Sequence, residues 1–191
     1  MGSNTPQLSL TLLKHMKKQL VILSDLWGRE RSEWVNHYIR PLQEKFEVRY
    51  YDCCELGGVD TSDYKQEVLH WQFVDGGVDR AVEQLLVLEQ SNVTVLAFSV
   101  GGTIAWKFAL EGGQVESLYC ISSTRLRYET MRPESEIVLC FGEDDPFIPS
   151  KEWFDKMNVT SDILPDKGHE LYMEAEFAEQ LSRRILNESS Y

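Results

Sequence analysis

The stretch from Asn92 to Gly102 reads NVTVLAFSVGG, in which a run of apolar residues leads directly into a pair of glycines. The residues at 92–98 are typical of a strand that is buried on both faces of a sheet. A helix is predicted over 101–110, so Ser99 occupies a sharp turn between strand and helix. A serine at such a turn has a strained backbone and an exposed hydroxyl, and a small residue such as Ala97 lets strand and helix pass closely. The alternative is that Ser99 only caps the helix.

Short apolar runs alternate with helical patterns along the rest of the chain. Strands are predicted at 19–24, 46–52, 92–98, 115–121, 137–141 and 162–164, and helices from Ser32, over 78–90, over 101–110, near Trp153 and over 171–186. This alternation implies right-handed crossovers and a mostly parallel sheet of about six strands with helices on both faces. In an α/β fold of this kind, ligands bind at the carboxyl ends of the strands.

Two polar segments follow later predicted strands. The strand at 137–141 leads into GEDDPFIP, where Asp145 is the candidate acid and Asp144 is the neighbouring alternative. An ordinary acidic turn would also explain this segment. The last short strand leads into Asp-Lys-Gly and then His169. Because His169 is the one histidine that comes after both Ser99 and Asp145, it is the candidate base.

These segments resemble the nucleophile elbow, acid loop and histidine loop of the α/β-hydrolase superfamily, with Ala97 in place of the first elbow glycine. The resemblance covers about residues 19–187. It implies a reduced α/β-hydrolase fold and a catalytic triad of Ser99, His169 and Asp145.

The same resemblance implies an oxyanion hole formed by the backbone N–H groups of Leu26 and Val100. The sequence departs from the superfamily at this point, because Ser24-Asp25 stands where many members have His-Gly. A carboxylate at Asp25 would oppose a developing oxyanion unless it points away or is paired. Val100, which directly follows the serine, is therefore the safer of the two donors.

Trp27, Trp71 and Phe147 are expected to contact the substrate. The segment at 123–136 is too short for a helical cap, so we expect an open site that is walled, if at all, by residues 55–75. The aromatic residues of 55–75 would alternatively pack into the core. Arg125 and Arg127 could bind an anionic substrate, or they could pair with surface carboxylates.

The length of 191 residues suits one domain, with 1–18 as an N-terminal extension and 19–191 as the folded unit. The 31 acidic and 19 basic side chains give a net charge of −12, which disfavours nucleic acid and anionic membranes as partners. No stretch approaches the roughly 20 apolar residues that span a bilayer. Residues 1–11 lack the features of a secretory signal.

Four cysteines are present and form no C-x-x-C pair, so the sequence gives no support for a zinc site. They are Cys53, Cys54, Cys120 and Cys140. Reduced thiols in a cytoplasmic protein are the expectation. The usual dinucleotide-binding fingerprint is also missing from the sequence, and the expected chemistry needs neither a metal nor an organic cofactor.

The sequence predicts a serine hydrolase that cleaves a carboxylic ester or thioester of a small-molecule acyl substrate. A peptidase-like or lactone-cleaving activity would suit the same fold. A catalytically silent module that binds a ligand or a protein is the alternative, and the unusual Ser24-Asp25 pair motivates it. The oligomeric state and the natural substrate do not follow from the sequence.

Overall fold

The structure is a computed structural model that describes residues 17–189. The predictions for residues 1–11 and for most of the N-terminal extension therefore lie outside the described residues. The strands are β1 (Lys18–Leu23), β2 (Phe46–Tyr51), β3 (Val93–Phe98), β4 (Val115–Ile121), β5 (Glu136–Gly142) and β6 (Ser161–Leu164). The helices are α1 (Asn36–Leu42), α2 (Cys53–Gly57), α3 (Gln66–Gln72), α4 (Val78–Leu88), α5 (Val100–Leu110), α6 (Lys151–Met157) and α7 (Ala175–Glu188).

The strands form one parallel sheet in the order β2-β1-β3-β4-β5-β6. Every residue of β3 is buried, as its continuous apolar run predicts. The pairing of Leu23 with Ala97 brings the carboxyl end of β1 beside that of β3, and Ile121 of β4 lies opposite Phe98 on the other side. The predicted fold class is confirmed.

Helices cover both faces of the sheet. On one face, α2, α3, α4, α5 and α6 pack against side chains such as Val95 and Phe141. On the other face, α1 and α7 pack around Leu96 and Tyr119. Two separate apolar clusters therefore enclose the sheet, whose edge strands are β2 and β6.

Two predicted helices begin differently in the structure. The pattern from Ser32 starts with short 3₁₀ turns, and regular α1 begins only at Asn36. The predicted helix over 171–186 is divided into a 3₁₀ turn, His169–Met173, and α7, which begins at Ala175. The break occurs because Glu174 has an extended backbone, with φ −76° and ψ 128°. Apolar periodicity alone does not reveal such a break.

The segment after β1 is fixed by a buried carboxylate. Asp25 is fully buried. Its Oδ1 accepts a hydrogen bond from the Trp27 N–H at 2.9 Å, and its Oδ2 accepts one from the Tyr172 hydroxyl at 3.1 Å. Tyr38 in turn donates to the Tyr172 carbonyl at 2.6 Å. Burial raises the pKa of Asp25 to about 6, although the hydrogen bonds from Trp27 and Tyr172 oppose the rise. The network ties the end of β1 to the 3₁₀ turn that begins at His169.

The raised pKa of Asp25 predicts a pH-dependent effect of the Asp25→Asn variant on stability. The native state holds the proton of Asp25 up to about pH 6, whereas an unfolded aspartate loses it near pH 4, so the wild type loses stability as pH rises between these values. From about pH 4.5 to about pH 7.5 this loss amounts to roughly 2 kcal/mol. Asparagine does not ionise, so urea unfolding should show the variant gaining about that much relative to the wild type over this range.

A second variant tests the cause. Tyr172→Phe removes a donor that favours the ionised carboxylate, so it should raise the pKa of Asp25 further, enlarge the total loss of stability and extend that loss to higher pH. A difference in unfolding free energy between Asp25→Asn and wild type that stays constant with pH would contradict the raised pKa.

Candidate active site

Ser99 lies at a strained turn between β3 and α5. Its φ of 51° and ψ of −117° are values that a residue with a side chain seldom adopts. Conformations of this kind typically cost about 1–3 kcal/mol and persist only where the surrounding structure fixes them. Here the Ser99 N–H donates to the Ile121 carbonyl at 2.9 Å, and the Gly102 N–H donates to the Ser99 carbonyl at 3.1 Å.

The two glycines of the quoted stretch allow this turn to fit against its neighbours. A Cβ on Gly101 would stand 2.4 Å from the carbonyl oxygen of Ser24, and one on Gly102 would stand 1.8 Å from the hydroxyl oxygen of Ser123. Neither position has room for a side chain. The amino end of α5 is thus wedged between the carboxyl ends of β1 and β4, with Ser99 at its tip.

Three side chains form a hydrogen-bonded row at this edge of the sheet. The Ser99 Oγ lies 3.0 Å from His169 Nε2, and His169 Nδ1 lies 2.6 Å from Asp145 Oδ2. The second oxygen of the Asp145 carboxylate accepts a hydrogen bond from the Phe147 N–H at 3.0 Å. Asp145 is buried, whereas Asp144 is exposed and does not take part in the row.

The environment of Asp145 keeps its carboxylate ionised. Burial alone would raise the pKa of Asp145, but the hydrogen bonds from His169 and from the Phe147 N–H outweigh it, and the net pKa is lowered. The positive charge of Arg127 acts in the same direction. An ionised Asp145 holds the Nδ1–H tautomer of His169, which leaves Nε2 free to accept a proton from Ser99.

The loops that carry the acid and the histidine are joined through their backbones. The Asp144 N–H donates to the Lys167 carbonyl at 2.9 Å, and the Glu143 N–H donates to the Leu164 carbonyl at 2.8 Å. A Cβ on Gly142 would stand only 2.2 Å from the Lys167 carbonyl oxygen. This close approach fixes the position of His169, which follows two residues after Lys167.

The backbone N–H groups of Leu26 and Val100 lie at the carboxyl ends of adjacent strands, β1 and β3. Within residues 17–189 neither N–H donates a hydrogen bond to a protein group. The nearby Asp25 carboxylate is engaged by Trp27 and Tyr172, as described above. The Asp25 carboxylate is therefore paired with hydrogen-bond donors of the protein.

The three expected substrate contacts lie in different surroundings. Trp27 is half-buried and packs on Tyr64, with ring centroids 5.4 Å apart and the Arg31 guanidinium 4.3 Å from the Trp27 ring. Trp27 and Tyr64 also line a cavity of about 420 Å³ that does not include Ser99. Phe147 is 58% exposed beside Asp145, and Trp71 is 63% exposed on α3.

The segment at 55–75 divides into α2, a loop and α3, and its side chains have different roles. Leu69 and Phe73 are buried in the core, as the packing alternative predicts. Tyr64 is only partly buried, against Trp27. Part of this segment therefore supports the core, and part of it borders the open edge near the end of β1.

Some residues near the site were missed in the sequence. Tyr172, which binds Asp25, lies three residues after His169 in a segment with helical periodicity, and nothing in that pattern indicates its partner. Tyr128, whose ring contacts Arg127, was likewise not indicated by any sequence pattern.

In the described part of the chain, no group of three or more histidine, cysteine, aspartate or glutamate side chains could hold a metal ion. Among these residues, no helix is long and apolar enough to cross a membrane.

No protein-family model and no curated protein sequence matches the chain. Several solved structures are similar to it. A Xanthomonas campestris pv. campestris protein, described as a hydrolase of the alpha/beta superfamily, has a TM-score of 0.63 and 15% identity over 90% of this chain and 99% of its own. MGS-MChE2, an alpha/beta hydrolase enzyme from the metagenome of lagoon sediments at Mar Chica, Morocco, has a TM-score of 0.63 and 14% identity over 92% and 94%.

Est1E from Butyrivibrio proteoclasticus, solved with bound ferulic acid, has a TM-score of 0.64 and 9% identity over 90% of this chain and 89% of its own. Sequence identities this low show a similarity of fold alone, and the alignments cover at least 90% of this chain. The protein therefore has the fold of the α/β-hydrolase superfamily.

Proposed function

We propose that the protein is a serine hydrolase that cleaves a carboxylic ester or thioester through an acyl-enzyme intermediate. The observation that carries this proposal is the hydrogen-bonded row of Ser99, His169 and Asp145. Each of the three follows a different strand, and Ser99 stands on a strained turn. The hydrolases among the similar structures support the same class of reaction.

The reaction begins with attack by Ser99 Oγ on the acyl carbonyl carbon, while His169 Nε2 takes the hydroxyl proton. The resulting imidazolium gives that proton to the leaving alcohol or thiol as the bond to the acyl carbon breaks. Water then attacks the acyl-enzyme, again through His169, and releases the acid together with free Ser99. Asp145 stabilises the imidazolium in both half-reactions and stays ionised.

The oxyanion of each tetrahedral intermediate would be stabilised by the Leu26 and Val100 N–H groups. Both N–H groups lack a protein partner within residues 17–189, so they are available as donors. Val100 is the first residue of α5, where the helix dipole adds positive potential. Each donor of this kind typically contributes about 3 kcal/mol to lowering the barrier.

A catalytically silent binding module remains the second candidate, because of Asp25. The pKa of this carboxylate is about 6, so it is mostly ionised at neutral pH, directly before one of the two donors. An anion there opposes the oxyanion charge. The hydrogen bonds from Trp27 and Tyr172 disperse its charge and favour the enzyme. Measured reactivity of Ser99 decides between the two.

A fluorophosphonate probe should label the wild-type protein at Ser99, because the row of side chains makes its hydroxyl nucleophilic. Ser99→Ala should abolish labelling, and His169→Ala should slow it by at least about a hundredfold. The exposed Ser62 provides the control variant, and Ser62→Ala should label like the wild type. Intact-protein mass spectrometry follows the added mass, and a folded wild-type protein that stays unlabelled would favour the silent module.

Adjacent aspartates provide a matched test of the acid. Asp145→Asn should lower kcat for ester hydrolysis by about 10⁴-fold, because asparagine favours the wrong tautomer of His169. Asp144→Asn removes the same charge at an exposed position and should leave kcat within about twofold of the wild type. Nitrophenyl esters of graded chain length are suitable substrates. Equal losses in the two variants would indicate a general charge effect and would contradict the assigned role of Asp145.

A further inference from the structure

Two arginines near the candidate site form no ion pair with a carboxylate in the part of the chain that the structure describes. Arg125 and Arg127 lie in the 3₁₀ turn Thr124–Tyr128, which follows β4. Both are half-buried, and within residues 17–189 neither forms an ion pair with a carboxylate. Of the two roles considered from the sequence, pairing with surface carboxylates is therefore not seen in the described part of the chain. Acidic side chains outnumber basic ones by 31 to 19, so partners for arginine are plentiful elsewhere.

The Arg127 guanidinium is held in place by neutral groups. It donates to the Thr124 carbonyl at 2.8 Å and to the Tyr128 hydroxyl at 3.0 Å. Its central carbon lies 4.4 Å from the ring centroid of Tyr128 and 5.4 Å from that of Phe147. Aromatic faces of this kind orient a guanidinium without neutralising its charge. Arg127 is thus preorganised and retains its positive potential.

Arg125 adds a second charge beside the first. Its guanidinium lies 5.3 Å from the Tyr128 ring centroid, and its buried Nε has no hydrogen-bond partner among residues 17–189. Leaving a buried donor of a charged group unsatisfied costs stability. Because this Nε is inaccessible to solvent, a ligand would have to bind the terminal guanidinium nitrogens of Arg125. Partial burial lowers the pKa of His70 on α3, and the charges of Arg125 and Arg127 lower it further.

The turn that carries Arg125 and Arg127 lies next to two parts of the candidate site, the Asp145 loop and the amino end of α5. The charge of Arg127 helps to lower the pKa of Asp145, and the Phe147 ring beneath Arg127 belongs to the residue whose N–H binds Asp145. The turn also begins directly after Ser123, which packs against Gly102 at the amino end of α5. These contacts place Arg127 against the loop that carries Asp145, and they place the turn that carries both arginines against the amino end of α5.

We propose that Arg125 and Arg127 bind a carboxylate carried by the ester substrate. This inference rests on the proposed hydrolase function and names the substrate class for the same site. Guanidinium groups match carboxylates in geometry and in charge, and charge-assisted hydrogen bonds of this type are among the strongest in proteins. A chain with a net charge of −12 otherwise repels anions, so recognition of an anionic substrate requires local positive charge that no nearby carboxylate neutralises, as at these two arginines within residues 17–189.

Matched esters test the proposal. Mono-4-nitrophenyl adipate and 4-nitrophenyl hexanoate share a six-carbon acyl chain and differ in the terminal carboxylate. A second pair, 3-acetoxybenzoate and 3-acetoxybenzamide, places the charge on the leaving group instead. The wild type should prefer the charged member of at least one pair by about tenfold or more in kcat/KM, mainly through a lower KM. Raising the salt concentration should reduce the preference.

Variants assign the preference to the two arginines. Arg127→Gln and Arg125→Gln should each reduce the ratio of charged to neutral kcat/KM by at least about fivefold, and Arg127→Lys should restore part of it. The control is Arg183→Gln on α7, an exposed arginine on the opposite face of the sheet, and it should leave the ratio unchanged. Circular dichroism establishes that each variant is folded.

The competing outcomes are distinguishable. Turnover of the neutral esters with no charge preference in either pair, or a preference that survives both glutamine variants, overturns the carboxylate proposal and leaves the hydrolase intact. No turnover of any ester and no labelling of Ser99 instead overturns the hydrolase function. If the glutamine variants do not fold, competition on the wild type decides. Adipate should then inhibit hydrolysis of the preferred charged ester, 1,6-hexanediol should not, and equal effects would overturn the proposal.

Discussion

The positive φ of Ser99 is the constraint on which the rest of this edge of the sheet depends. A side chain at φ 51° and ψ −117° is unfavourable in isolation, and it persists because the turn is held from two sides. Ile121 on β4 accepts its N–H, while the bare backbone of Gly101 lets the carbonyl of Ser24 approach from β1. The ends of three strands must therefore keep their register for the hydroxyl to stay exposed. A side chain at Gly101 or Gly102 would displace one of them.

The position of Ser99 also fixes what the later loops must do. His169 reaches it only because the loop after β6 lies directly against the loop after β5, at the close contact between Gly142 and Lys167. That contact is between backbone atoms, and it brings the loop that carries Asp145 against the loop that carries His169. The hydrogen bond from His169 to Asp145 then selects one tautomer within an arrangement that the loops already provide. Backbone packing thus sets the distances, and the side chains add the chemistry.

Much of the fold and of the candidate site could be predicted from the sequence, because the strands of a buried parallel sheet are recognisable from their residues alone. Their continuous apolar runs locate the strands, and the residues directly after each strand then have to share one edge, which is why Ser99, Asp145 and His169 could be chosen as candidates. The remainder depends on contacts between distant residues. Asp25 and Tyr172 are 147 positions apart, and no local pattern joins them. Likewise, the absence of acidic partners for Arg125 and Arg127 within residues 17–189 is a property of the folded surface, because the sequence alone offers many carboxylates.

The order of the strands separates two opposite charges across the candidate site. β3 carries Ser99, β1 on one side carries the buried Asp25, and β4 on the other side leads to Arg125 and Arg127. In the proposed complex, a carboxylate on the substrate would be attracted to the β4 side, where the two arginines lie. The same separation keeps Asp25 away from the two arginines. An ion pair between them would neutralise both the carboxylate and the guanidinium charges. A carboxylate held at β4 would orient the scissile carbonyl along one direction relative to the Leu26 and Val100 N–H groups.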